Sequence, residues 1–355
     1  MKNRKRQWLS LSLAILLASL LAACGNGAAG GASNAGAASA SPVASSESSS
    51  PAVEAGPDLS KVTLNIGQTG WENLKIGFKE AGLDDTPYKI EFSVFQGGNL
   101  QLEAMAGGHL DVALTSEIPP LFAAQAANGG NFKIIAIQKS STLQQELLIP
   151  KGSTVKSVAD LKGKKVAYVS STTAHYFLLK MLEEAGLSWT DIEPVALSTS
   201  DGLSALIGGS VDALASYGNA IISGRQNGAT TLASAQSILS GNFPIEANPA
   251  AIEDPGKHAA IADFLNRLNQ YNEWIRANQE KWAGIVAENT KQPVEQALQT
   301  LKDGEAQQPT TILPPSEEAI ASQQDIADTL QKVGLLKNPV DVKTIWSDAF
   351  ADALK

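Results

Sequence analysis

The sequence predicts an α/β protein built as two lobes with a central cleft. Three observations predict it. The folded region runs from about Asp58 to Lys355, longer than one hydrophobic core ordinarily supports. Within it, Leu102-Glu-Ala-Met-Ala-Gly-Gly-His-Leu-Asp111 is echoed 101 residues later by Leu203-Ser-Ala-Leu-Ile-Gly-Gly-Ser-Val-Asp212. Upstream of each, in the same order, Glu80-Ala-Gly-Leu83 returns 104 residues later as Glu184-Ala-Gly-Leu187. Two echoes in one order describe one unit used twice.

At the N-terminus, Lys2, Arg4, Lys5 and Arg6 precede an uncharged run from Trp8 to Ala23. A membrane span needs roughly 20 apolar residues, so this shorter run reads as a secretory signal peptide over residues 1–23. It ends in Leu21-Ala22-Ala23-Cys24, which resembles a lipobox. In such signals the peptide is cut before the cysteine, which is then acylated; Cys24 is the expected lipid anchor. As Cys24 is the only cysteine, the sequence offers no disulfide, no thiolate metal cage and no cysteine nucleophile in the folded part. Loss of residues 1–23 removes four positive charges and no acidic ones, taking the net charge from −9 to −13. So acidic a chain is not expected to bind nucleic acid. Residues 24–57, mostly Ala, Gly and Ser, cannot bury enough apolar surface to fold and are expected to form a lipidated, disordered tether.

Each lobe then reads as strand, loop, helix, Gly turn, strand, helix, Gly-Gly, strand. In the first lobe a strand at Val62–Ile66 precedes a helix over about 72–81, and Gly107-Gly108 precedes a strand at Leu110–Leu114. In the second, Lys165–Val169, about 174–185 and Val211–Ala215 occupy the same places. Glycine after a last helical turn fits the left-handed helix stop, and the alternation implies largely parallel sheets. Lobe 1 is expected to take residues 58–148 and 240–355, lobe 2 residues 149–239. From about Pro255, Ile261, Phe264, Leu265, Leu268, Tyr271 and Ile275 recur at helical spacing. There Trp274 and Trp282 read as packing, as do Ile326, Leu330, Leu335 and Trp346 in the C-terminal stretch.

Ligands of open α/β sheets bind beyond the carboxyl ends of the strands. All six such ends hold hydroxyl, glycine or amide residues. The first lobe presents Thr69, Gly70 and Trp71, then Gly98 and Asn99, then Thr115, Ser116 and Glu117. The second presents Ser171, Thr172, Thr173 and His175, then Asp201, then Ser216 and Tyr217. Free N–H groups at helix starts, close backbone approach at glycine and added hydroxyl donors suit a small anion held without counter-charge. Serine, threonine, asparagine and aspartate are also ordinary helix caps. Arginine is scarce in the mature part, only Arg225, Arg267 and Arg276, so neutral dipoles must do most of the work.

The run Lys156-Ser-Val-Ala-Asp-Leu-Lys-Gly-Lys-Lys-Val166, with Ser171-Thr-Thr-Ala-His-Tyr-Phe-Leu-Leu-Lys180 and Asp191-Ile-Glu-Pro-Val195, resembles the solute-binding proteins of the aliphatic sulfonate, taurine and nitrate importer family. Gly108-His-Leu-Asp111, Thr115-Ser-Glu-Ile-Pro-Pro120 and Gln324-Asp-Ile-Ala-Asp-Thr329 extend the likeness over nearly the whole chain from about residue 60. The resemblance implies a type II periplasmic-binding-protein fold whose lobes close on a solute and dock on a membrane permease served by an ATPase. It implies a binding protein rather than an enzyme, extracytoplasmic, anchored to the lipid bilayer through Cys24, needing no cofactor or metal and acting as a monomer. The expected solute is a small organic anion of the aliphatic sulfonate kind; nitrate, taurine or a pyrimidine precursor of thiamine are the alternatives. Where family members often carry Trp-Asp-Pro-Tyr, this chain has Tyr217-Gly218-Asn219-Ala220, and Arg225 replaces an expected acid. Gly218 has no carboxylate for an ammonium group, which tilts the expectation from taurine towards a plain organosulfonate.

An enzyme reading finds little support in the residues. His109, His175 and His258 are the only histidines and no two have metal-ligand spacing. The nucleophile elbow Gly-x-Ser-x-Gly is absent. His109 reads as a solvated turn residue, whereas His175 opens a helix and is placed to donate to an anion. A repeat scaffold conflicts with the paired α/β units.

Overall fold

A computed structural model describes residues 56–355. The signal peptide, Cys24 and the tether up to residue 55 lie outside the described residues. In the first lobe β1 (Thr63–Thr69) pairs in parallel with β2 (Lys89–Phe95) and β3 (Val112–Leu114), with α1 (Asn73–Glu80) and α2 (Gly98–Ala106) as crossovers. After α3 (Ile118–Ala123) and β4 (Lys133–Lys139), the chain crosses over residues 140–144 to β5 (Gln145–Ile149) of a second sheet. There β6 (Lys165–Tyr168), α4 (Thr173–Glu184), β7 (Glu193–Ala196), α5 (Thr199–Ile207) and β8 (Ala213–Tyr217) repeat the parallel pattern. After α6 (Asn219–Gln226) and β9 (Thr230–Ser234), the chain crosses back to β10 (Asn242–Ala247) of the first sheet. The remainder is α7 (Pro249–Glu253), α8 (Pro255–Ala277), α9 (Gln279–Thr290), α10 (Val294–Gln307), β11 (Thr311–Leu313) and α11 (Glu317–Lys332).

The strand orders are β11-β4-β10-β3-β1-β2 and β7-β6-β8-β5-β9. Apart from β11 at one edge, they are the same order twice. The echoed glycines explain part of this: Gly108 and Gly209, at φ +77° and +70°, end equivalent helices in the left-handed region that a Cβ disfavours. The sheets are mixed rather than largely parallel. β10 runs antiparallel between β3 and β4, and β5 antiparallel between β8 and β9. Each is the first strand after a crossover, so it enters its sheet from the cleft end, against the strands that point towards the cleft. The boundary expected after residue 148 falls inside β5. The apolar run Leu147–Ile149 reads as the end of lobe 1, whereas the crossing is the polar stretch before it.

One face of the first sheet packs Leu64, Ile66, Val112 and Ile245 against Phe78 of α1 and Ile261, Phe264, Leu265 and Leu268 of α8. Asp254 starts α8, its carboxylate accepting from Lys257 N–H at 2.8 Å, with Pro255 in the first turn. The other face packs Ala113 and Ile134 against Leu102 and Met105 of α2, Leu121 of α3 and Ile326 and Leu330 of α11. Tyr176 and Leu179 of α4 join that cluster, so one face of a second-lobe helix packs into the core of the first while Phe177, Leu178, Met181 and Leu182 fill its own. Trp282 and Trp346 are buried, and Trp274 packs part-buried on the α8 cluster. Among the described residues no helix is long and apolar enough to cross a membrane.

Candidate functional site

A cavity of about 370 Å³ opens between the two sheets. That is within the range of small-molecule sites, roughly 300–1,000 Å³. Its wall takes strand ends from both lobes, because parallel strands and their following helices converge there. Of the residues expected from the sequence, Thr69, Gly98, Thr115, Ser116, Thr172, Thr173 and Tyr217 line it.

The remaining expected residues sit elsewhere. Gly70 turns the chain at φ +98°, and Trp71 stacks on Trp282 with ring centroids 5.8 Å apart. Asn99 and Asp201 line a separate hollow; Asp201 and Ser198 are paired as a helix cap, the Asp201 N–H donating to Ser198 Oγ at 3.1 Å. Glu117 is buried away from the cavity, accepting from Asn242 Nδ2 at 3.2 Å, Ser322 Oγ at 2.9 Å and Ser240 Oγ. Burial pushes its carboxyl up despite these donors. Ser171, at φ +57°, donates its N–H to His175 Nδ1 at 3.3 Å. The His175 ring lies among Tyr168, Trp189 and Phe122, and burial pushes its pKa down to about 4. A neutral ring in an aromatic nest does not serve an anion in the cleft. Ser216 is wholly buried, and its hydroxyl has no partner among the described residues.

Lining the cavity is not the same as having a donor to offer. Thr172 Oγ1 donates to the Val169 carbonyl at 2.8 Å and accepts from Ala174 N–H at 3.2 Å, which makes it the cap of α4. Thr173 Oγ1 donates to Gln145 Oε1 at 2.5 Å. Thr69 Oγ1 accepts from Gln101 Nε2 at 2.8 Å, leaving its own hydrogen to give. The Ser116 hydroxyl has no hydrogen bond among the described residues. α2 starts at Gly97 with no side-chain cap, so no side chain covers its first N–H groups. Gly98 is glycine because of crowding: a Cβ there would lie 2.8 Å from Thr115 Cβ and 3.0 Å from Pro119 Cγ.

Several lining residues carried no expectation. Gln68 spends its Oε1 on the Leu74 N–H at 3.0 Å, capping α1, while its buried Nε2 has no partner among the described residues. Asn272 of α8 is likewise buried with Nδ2 unpaired. Its signal in the sequence is a polar residue inside the apolar stripe Leu268–Tyr271–Ile275. Gln138, Ser140, Gln145 and Thr310 come from strand ends and crossovers that sequence spacing does not bring together. Leu74, Leu268, Ile275 and Phe243 supply an apolar side.

Among the described residues no Asp, Glu, Lys, Arg or His lines the cavity. Buried amide donors without partners cost free energy that the oxygens of a bound solute recover. Two amide donors unpaired among the described residues, Gln68 Nε2 and Asn272 Nδ2, and one such amide acceptor, Asn73 Oδ1, face the cavity. This suits a molecule with acceptor oxygens and a hydrocarbon part and leaves Asn73 to take a hydrogen from solute or water. Among the described residues no cluster of His, Cys, Asp and Glu could hold a metal ion.

Residues 83–287 match the family model described as ABC transporter, phosphonate, periplasmic substrate-binding protein. A protein of Escherichia coli (strain K12) named for binding aliphatic sulfonates is 31% identical over 304 residues, spanning 83% of this chain and 91% of that one. The crystal structure of the periplasmic aliphatic sulphonate binding protein from Escherichia coli aligns with TM-score 0.67 and 28% identity, over 82% of this chain and 92% of that chain. The alkanesulfonate-binding protein of Xanthomonas axonopodis pv. citri, bound to MOPS, aligns with TM-score 0.70 and 26% identity, over 82% and 99%.

Proposed function

The chain belongs to the periplasmic substrate-binding protein family of ABC transporters, and on that footing we propose that it captures an aliphatic sulfonate-like monoanion and hands it to a membrane permease. The observation that carries the solute class is a cavity with neutral donors, an apolar side and no charged residue in its wall. Sulfonate oxygens take the Ser116 and Thr69 hydroxyls, the Gln68 and Asn272 amides and the start of α2; the hydrocarbon part lies against Leu74, Leu268, Ile275 and Phe243. Relatives named for sulfonates support the same reading. Nitrate is far smaller than a cavity of about 370 Å³, and taurine finds no carboxylate in the wall for its ammonium group.

The role is capture rather than turnover. The folded part has no cysteine, and no histidine lines the cavity. Cys24, acylated, holds the protein to the outside of the membrane through the tether, and the protein works as a monomer beside its permease and ATPase. Calorimetry with alkanesulfonates, taurine, nitrate and sulfate tests the solute class. Alkanesulfonates are expected to bind most tightly. Tight nitrate or taurine binding, with none of an alkanesulfonate, overturns it.

A further inference from the structure

Beneath the cavity wall lies a carboxyl group that the site as described does not use. Glu246, on β10, stands between Ala113 of β3 and Ile134 of β4, and no part of it reaches solvent. Its Oε1 is 2.6 Å from Thr115 Oγ1, and its Oε2 has no partner among the described residues. Thr115 Oγ1 is also 3.1 Å from the main-chain oxygen of Ser116. A threonine hydroxyl has one hydrogen to give. If Glu246 were a carboxylate, Thr115 would give its hydrogen to Glu246 and the Ser116 oxygen would lose its bond from Thr115. If Glu246 carries a proton, it donates to Thr115 and Thr115 donates to Ser116, and both contacts are hydrogen bonds.

The surroundings provide no counter-charge. Just before β3, Asp111 is committed to Lys257 of α8 at 2.6 Å and to Asn65. On β4, Lys133 donates to the Thr344 carbonyl and Lys139 to Asn242. Glu117, at the head of α3, is held by Ser240, Asn242 and Ser322. His175 of α4 accepts from Ser171, and Arg267 of α8 pairs with Asp263. Glu103 of α2 and Asp325 and Asp328 of α11 are exposed. None of these hydrogen-bonds to Glu246. An isolated carboxylate is too costly to bury and takes up a proton instead; burial accordingly pushes this carboxyl well above its ordinary range.

We propose that Glu246 is held as an uncharged carboxylic acid behind Thr115 and Ser116, and that its proton is what allows an anion to occupy the cavity. The second half rests on the proposed anionic solute. With the proton in place, the wall is neutral to the depth of a second layer. With the proton lost, a buried negative charge stands one side chain behind the solute. Unit charges about 7 Å apart at an effective dielectric of about 20 repel enough to weaken binding roughly fiftyfold. Affinity is therefore full below the raised pKa of Glu246 and falls as pH rises through it. Reciprocally, a bound anion raises that pKa further, so binding above it takes up a proton.

Two measurements test this. Infrared spectroscopy of the solute-free protein at neutral pH is expected to show a protonated carboxyl band that disappears in Glu246→Gln; a spectrum with no such difference overturns the proposal. Calorimetry with an alkanesulfonate, carried up through the pH at which that band is lost in the wild type, is expected to show affinity declining in step with the band in the wild type and flat in Glu246→Gln. The same pH profile in both proteins overturns it. Glu246→Met, neutral and apolar, serves if the glutamine variant does not fold, and the wild-type band and affinity can be compared directly. If no anion of the panel binds while the band is present, the solute reading falls together with the role of the proton in anion binding, and the uncharged state of Glu246 stands.

Discussion

Tyr217 of the second lobe, which lines the cavity, donates its hydroxyl to the main-chain oxygen of Gln96 in the first at 3.2 Å. Beside it Thr199 Oγ1 meets Gln96 Oε1. The lobes thus touch where the loop after β2 faces α5 and β8. Gly97 explains how they come so close. A Cβ there would lie 2.8 Å from Tyr217 Oη and 3.5 Å from Thr172 Cγ2, both in the opposite lobe.

A Cβ at Gly97 would also lie 2.8 Å from Asn99 Oδ1 of its own lobe, the free end of a side chain that can turn aside, so Gly97→Val should act mainly on the closed state. Gly97 has φ −171°, extended backbone that valine adopts without strain, so folding should be unaffected. Overpacking at the contact costs about 1–3 kcal/mol, which weakens binding by about five- to 150-fold. A ligand that prefers the closed form shifts the population only by that preference. Small-angle scattering should show the wild type compacting at saturating solute and the variant staying expanded at the same concentration. Equal compaction and equal affinity would remove Gly97 from the closure contact.

His175 gives the fold a defined acid sensitivity. Its folded pKa is held down to about 4, below the ordinary histidine value of about 6.5. A depressed folded value means that the unfolded chain binds more protons between those two limits. Stability is then fully present above about pH 6.5 and is lost as pH falls towards 4, by about 3 kcal/mol in all. His175→Phe keeps an aromatic ring among Tyr168, Trp189 and Phe122 and removes the titration. Urea unfolding at pH 7 and pH 4.5 should show a clearly smaller loss in the variant; an equal loss in both assigns the acid sensitivity elsewhere.

Cys24→Ser should leave folding and solute affinity unchanged and move the protein from the membrane fraction to the soluble one. Stable anchoring depends on buried acyl chains, and serine offers no thiol for them. Retention of the variant in washed membranes would refute the anchor.

What the sequence made legible was what local chemistry dictates. Gly108 and Gly209 announce themselves because their backbone requires glycine, and the repeat they mark predicts equivalent units. The strand-end runs were legible too, but only as neighbours in sequence. Glu117 sits in such a run, yet its carboxylate is claimed by Ser240, Asn242 and Ser322, partners more than 100 residues away. Asn272 and Gln145 reach the cavity only because α8 and a crossover fold back onto it. β10 was not anticipated, since its place between β3 and β4 is a long-range pairing without a local signal.

Ser116 and Thr172 separate a solute donor from a cap. The sequence places both at equivalent strand ends in opposite lobes, and both line the cavity. Their hydroxyls differ in what they already do. Thr172 gives its one hydrogen to the Val169 carbonyl and accepts from Ala174 N–H, so it has none left for an anion. Thr172→Ala should lower stability by about 0.5–2 kcal/mol, the ordinary loss for a helix cap, with affinity changed little. Ser116 has no internal use for its hydroxyl, so Ser116→Ala should leave the melting temperature unchanged. It should weaken binding by about 1–3 kcal/mol, the loss of one hydrogen bond to an ionised acceptor. Calorimetry and thermal unfolding on both variants read the two quantities separately. If Thr172→Ala instead loses affinity at wild-type stability, the hydroxyl must leave Val169 when solute enters, and the donor set has to include it. If neither variant loses affinity, the oxygens of the solute face the Gln68 and Asn272 side of the wall instead.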